Sequence, residues 1–288
     1  MAPLVGSGLW FGSSGNNGPR GIFALGNNTT ATNAYVYSNN AVIPGTNLTG
    51  DTEWTTAAGN STLGIFTLSY SGGTYTPTTN IYTYSSNGVA TGTNLTADSE
   101  GGAAAGNSTL GIFALGNDTP TTNIYTYSSN GVATGTNLTA NSYQGSGAAG
   151  NSTLGIFAMG NNGSGPTPNT NIYTYASNGV TAGTNLTVAT VDNSAAGNST
   201  LGIFALGGYT TTNIYTYSNN GVATGTNLTA DSSLGAATGN SALGIFAIGD
   251  GTVTTNIYTY SSNGVATGTN LTADLNTGAA ASTSPGGF

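Results

Sequence analysis

The chain has 288 residues, of which 3% are charged, and carries a net charge of −8 with Arg20 as its single basic residue. One cation cannot displace the counterions of a phosphate backbone, and no run approaches the ~20 apolar residues of a spanning helix, so neither nucleic-acid binding nor membrane insertion is expected. The absence of Cys, His and Lys removes disulfides and the usual nucleophiles and general bases, while 16 Tyr, 8 Phe and 2 Trp argue against disorder.

Residues 1–18 lack the basic start and long apolar stretch of an ordinary secretory signal. They contain Trp10 and Phe11 and read either as a free N-terminal arm or as a strand of the first repeat unit. Repetition then takes over. Gly-Ile-Phe begins at Gly21, Gly64, Gly111, Gly155, Gly202 and Gly244, at spacings of 43, 47, 44, 47 and 42 residues.

Each unit reads as four strands, taken here from the third copy. A small-residue strand from Gly102 to Gly106 turns through Asn107-Ser108-Thr109 into a second strand, Leu110 to Leu115. Asn123-Ile124-Tyr125-Thr126-Tyr127 then alternates, placing Ile124 and Thr126 on one side and the two tyrosines on the other. Asn130-Gly131 between β-type runs is a strong hairpin signal, and Val132 to Leu138 reads as the return strand. Gly135 inside it marks a bulge or a close backbone approach. Four strands in a period of about 42–47 residues make the chain all-β, a six-bladed β-propeller with four-stranded antiparallel blades spanning residues 19–288. A β-solenoid is the alternative, and it requires the period to split into shorter coils, of which there is no sign.

The unit resembles a divergent kelch-type propeller repeat. Leu110-Gly111-Ile112-Phe113-Ala114-Leu115-Gly116 stands where kelch blades have a hydrophobic strand ending in a glycine pair, and Asn123 to Tyr127 where they have the strand carrying a Tyr. Directly after that strand the glycine doublet is present only at Gly207-Gly208, and the Trp that usually follows the Tyr is missing throughout. The resemblance implies the fold and no particular partner.

Ala103-Ala104-Ala105, Ala148-Ala149, Ala195-Ala196 and Ala236-Ala237 suit innermost strands, where blades converge on a channel. The Ile-Phe and Tyr pairs then supply packing between blades. The tail Thr277 to Ser282 copies a small-residue inner strand with no unit after it, so the C-terminal segment is expected to close the ring. That leaves residues 1–18, with Trp10 and Phe11, as a candidate assembly arm.

Successive turns of a blade alternate between two faces. The Gly-Asn-Ser-Thr and Asn-Gly turns share one and barely vary; the second-to-third connections and the blade-to-blade links share the other and do vary. Variable loops on a fixed scaffold are where recognition sits. Trp54, Tyr70, Tyr75, Asp98, Glu100, Asp118, Tyr143, Tyr209 and Asp250 lie there and form the candidate binding face. Asp98 and Glu100 could be neighbours, as a glycosidase pair must be, but read as a solvated loop. No Asp-rich loop suits calcium, so neither a metal nor another cofactor is expected and the protein is read as no enzyme. Asn-X-Ser/Thr triplets recur at nearly every unit, among them those at Asn60, Asn94, Asn107, Asn137, Asn151, Asn185, Asn198, Asn227 and Asn270, and are possible glycan acceptors. Turn chemistry explains Asn-Ser-Thr better, since Asn240-Ser241-Ala242 loses the triplet while the repeat continues.

The expected function is a structural or adhesive surface protein, in particular an exposed virion component (phage decoration, fibre or tail) at a virion or extracellular surface. Its partners would be other virion or surface-layer proteins. A carbohydrate-binding, lectin-type propeller that takes cell-surface glycans is the alternative. An ice-binding or filament-forming solenoid is a third class, tied to the other fold.

Overall fold

A computed structural model of the chain describes residues 18–71, 73–143 and 147–283. Trp10 and Phe11 lie outside them. Six four-stranded antiparallel sheets form six blades, and no helix occurs among the described residues. Blade three shows the pattern, with Ala103–Gly106 innermost, then Leu110–Ala114, Thr122–Thr126 and, outermost, Gly131–Thr134. Blade two adds a short hairpin, Tyr70–Ser71 paired with Thr74–Tyr75, between its second and third strands.

Blade one is assembled from both parts of the chain. Ala279–Ser282 is its innermost strand and pairs antiparallel with Arg20–Ala24, which continues to Thr32–Val36 and Ala41–Pro44. Phe23 stands opposite Ala280, so a large residue and a small one share the crowded inner edge.

The core is divided among the seams between blades. At the seam of blades two and three, Phe113, Leu115, Tyr125 and Tyr127 pack on Ala58, Ile65 and Leu95, and every one of them is buried. Five further clusters repeat this composition around the ring. Burying a side chain of the size of Phe113 contributes roughly 2–3 kcal/mol, so each seam is a substantial hydrophobic joint. The joint needs glycine in the second strand. A Cβ on Gly111 would stand 3.0 Å from the Tyr127 hydroxyl and 3.1 Å from the Ala58 Cβ of the neighbouring blade.

Polar bonds cross the same seams. Buried Asn123 accepts at Oδ1 from Thr96 N of the preceding blade at 2.7 Å and donates from Nδ2 to Thr96 Oγ1 at 2.9 Å. Asn130, left-handed in the Asn-Gly turn, accepts from its own blade's Tyr125 hydroxyl and from Thr93 N of the preceding blade.

The return strand is shorter than its sequence suggests. It ends at Thr134 instead of Leu138, because Gly135 marks a close approach and not a bulge. A Cβ there would sit 2.4 Å from Thr122 Oγ1 and 2.7 Å from the Tyr173 hydroxyl of the next blade. From this point the chain leaves its sheet and crosses the seam, with Leu138 buried in the joint beyond.

Candidate functional site

The inner strands enclose a narrow channel walled by Ala57, Ala103, Ala148, Ala195, Ala236 and Ala279 among others. Its cavity of about 70 Å³ admits a few waters and is too small for a sugar ring or a peptide. Recognition of anything larger belongs to the faces.

On the variable face, the second-to-third connection of a blade is tied to the link leaving it, as in Thr29 with Thr52, Thr119 with Ser142 and Thr167 with Thr190. These bridges fix the loops to the scaffold. Upon it the sequence-selected residues fall into three groups.

The first group is a cluster. Tyr75 donates its hydroxyl to Glu100 Oε1 at 2.6 Å, and Tyr143 donates to the same oxygen at 3.0 Å. Tyr70 lies edge-on to Tyr75 with ring centroids 5.1 Å apart. The hairpin of blade two, the link from blade two to three and the link from three to four thus meet on one carboxylate. Glu100 is 8% exposed beneath the hydroxyls, while Tyr75 keeps 39% of its surface open to solvent. The Glu100 carboxylate pushes the Tyr75 hydroxyl up from its ordinary range, because ionising the phenol would lose the hydrogen bond and set two anions together, and burial adds to the shift. Phenol and carboxylate are locked as donor and acceptor.

The second group stays apart. Asp98 is exposed, whereas Glu100 is buried under the tyrosine hydroxyls. Asp118 and Asp250 occupy left-handed turn positions with φ of 51° and 53°, a conformation that Asp tolerates, and Asp118 Oδ1 accepts from Asn141 Nδ2 at 3.2 Å. Tyr209 is 47% exposed on blade five, where its backbone pairs with Ser232.

The third group surrounds the channel mouth, and only Trp54 of it stood out in sequence. Trp54, Asp192, Leu234 and Thr277 all have left-handed backbones, with φ between 54° and 58°, and Gly101 matches them at 57°. Each precedes an inner strand. For a bulky or β-branched residue this conformation costs about 1–3 kcal/mol, and such strain gathers where chains are clamped or ligands held. Backbone bonds clamp it here. Thr277 N donates to Leu234 O, Thr55 N to Thr277 O and Gly101 N to Trp54 O, at 3.0, 3.1 and 3.4 Å. The five residues line a hollow at the mouth. Asp192 has its carboxyl pushed up to about 6 by burial. Glu100 and Gly101 are consecutive, so hollow and tyrosine cluster adjoin. The sequence signal was available, since these positions vary in type ahead of a constant small-residue strand.

Among the described residues, no group of three or more His, Cys, Asp or Glu side chains could hold a metal ion.

No protein-family model matches the chain, and no curated protein matches it. Among solved structures it is similar to TolB from Acinetobacter baumannii, with a TM-score of 0.63 and 12% identity over 92% of this chain and 67% of that one. At that identity the likeness is one of fold.

Proposed function

We propose that the chain is a non-enzymatic structural or adhesive surface protein, built on a kelch-type repeat, that attaches through its variable-loop face. Its setting is an exposed virion component such as a phage decoration, fibre or tail protein. The observation that carries this reading is the cluster of Tyr70, Tyr75, Glu100 and Tyr143. Three loops of differing sequence converge there on a scaffold whose six seams are nearly alike. Rigid aromatic groups held by second-layer hydrogen bonds are the usual anchors of a binding surface. A surface hydrated by Thr, Asn and Ser suits a protein that stands permanently in water as one of many copies.

Electron imaging of native material tests the setting, with sixfold discs expected on a particle or filament. Binding of labelled protein to the host surface tests the face. Tyr75→Ala should weaken binding about tenfold or more, as loss of an aromatic anchor does. Thr109→Ala, in the turns of the opposite face, should leave it unchanged. Equal effects of the two variants would sink the assignment of the face.

The exposed rings of Tyr75 and Tyr209 favour a second reading, carbohydrate binding, because an open aromatic face stacks on a sugar ring. Sugar-dependent signal on a glycan array, lost in Tyr75→Ala, would support the lectin over the purely structural subunit.

A further inference from the structure

Beside single Asn-X-Ser/Thr triplets at Asn27, Asn28, Asn117 and Asn162, two kinds recur along the chain, and the fold treats them differently. In the Asn-Ser-Thr turns, both ends of the amide are committed. Asn60 Oδ1 accepts from Thr62 N and Leu63 N, while Nδ2 donates to Ser108 O of the next blade. Asn107, Asn151 and Asn198 repeat this, donating to Ser152, Ser199 and Ser241. A substituent on any of these nitrogens would break a bond between blades.

The Asn-Leu-Thr triplets are the reverse. Asn47, Asn94, Asn137, Asn185, Asn227 and Asn270, one per blade, are all exposed. Their neighbours each have a structural task, as blade two shows. Thr93 donates from Oγ1 to Asn130 O of the next blade, Leu95 is buried in the seam, and Thr96 is held by Asn123. Asn94 itself has no left-handed backbone, and its amide makes no hydrogen bond among the described residues. Exposed positions just upstream drift between units, the outer strands reading GVAT, GVTA and AVIP. The asparagine does not drift. All six copies keep it where packing asks nothing of it.

We propose that these six asparagines are N-glycan acceptors, and that the Asn-Ser-Thr asparagines are not. The donor is a sugar activated as a diphosphate ester, brought by a glycosyltransferase that reads the hydroxyl two residues on. Nδ2 bonds to the sugar C1, the bond from C1 to the diphosphate oxygen breaks, and the amide gives up one proton to a base of the transferase. Each acceptor sits beside a seam, between Thr residues bonded to the next blade, so the sugars would ring the molecule beside its outer strands. Those strands present free edges without a charged residue, and exposed edges ordinarily need a charge or a cover against pairing with another chain.

The inference stands apart from the attachment reading, because an unmodified protein could still attach. The test is mass spectrometry of chymotryptic peptides and of the intact protein, on material from its native source. Sugar mass on the Asn-Leu-Thr asparagines and none on Asn60, Asn107, Asn151 and Asn198 is the expected result. Bare Asn-Leu-Thr asparagines, or sugar on the Asn-Ser-Thr group, would overturn it. Asn94→Gln should lower the intact mass by one glycan and leave the melting temperature unchanged. A variant that unfolds instead would show Asn94 to be structural, and would equally overturn the proposal.

Discussion

Asn33 and Thr272, 239 residues apart, are joined by Thr272 N donating to Asn33 Oδ1 at 2.7 Å and Asn33 Nδ2 donating to Thr272 Oγ1 at 2.8 Å. The same joint links Asn80 to Thr49, Asn171 to Thr139, Asn213 to Thr187 and Asn256 to Thr229. Closing the ring therefore uses the same bonds as continuing it. Asn33→Ala and Asn123→Ala should each cost about 1–2 kcal/mol, since each loses the two hydrogen bonds between a buried asparagine and an exposed threonine of the neighbouring blade. Denaturant unfolding should place the two variants within error of each other. A much smaller cost at Asn33 would mean that the closing seam is looser than the rest.

Closure by the tail sets a second expectation. With Ala279–Ser282 paired to Arg20–Ala24, the innermost place of blade one is filled. Deleting residues 1–15 should leave circular dichroism and the melting temperature intact. Deleting 279–288 should abolish cooperative unfolding, because it bares the inner edge of a blade and takes Ala281 out of the cluster it shares with Phe66. Opposite outcomes would assign the inner strand to the head of the chain.

Asp192 makes stability fall as pH rises. Its folded pKa of about 6 lies above the ~3.9 of an unfolded Asp, so the folded chain holds the proton more tightly. The contribution of the neutral carboxyl is complete below pH ~4 and is lost as pH climbs through about 6. Allowing for its partial exposure, Asp192→Asn should gain about 1–2 kcal/mol over wild type at pH 7 and nothing at pH 4. Thermal melts across that range provide the check, and a gain independent of pH would contradict it.

The tyrosines set the alkaline limit. Burial pushes the hydroxyls of Tyr37, Tyr84, Tyr127, Tyr175, Tyr217 and Tyr260 well above their ordinary range. Neutral phenol in the fold is favoured relative to the unfolded chain, so stability declines once pH passes ~10, where unfolded tyrosine ionises. The phenolate absorbance of these six should rise in one cooperative step coincident with loss of β structure. Gradual ionisation of these residues in a still folded protein would disprove their burial.

The period and four-strand unit were legible because each repeat writes its own punctuation: Gly-Ile-Phe, then Asn-Ile-Tyr, then Asn-Gly. Both Gly135 and the buried Asn123 act across a seam, with partners on another blade, so strand-by-strand reading placed the strand end at Leu138 and missed the joint. Glu100 read as a loop acid, because nothing local foretells two tyrosines from separate loops converging on it. The mouth residues other than Trp54 escaped for another reason. Leu234 and Thr277 depart from the backbone preferences of their own side chains, held there by backbone bonds across the mouth.

The interchangeability of the seams has a consequence for how the molecule is made. The closing strand, Ala279-Ala280-Ala281, is spelled like the inner strand of blade three, Ala103-Ala104-Ala105. Nothing in its chemistry tells the first blade of its own chain from the first blade of another. Tethering alone selects the intramolecular partner, through an effective concentration that dilute protein cannot match. Refolding at high concentration should therefore yield tail-exchanged dimers and larger closed rings, each with every seam satisfied.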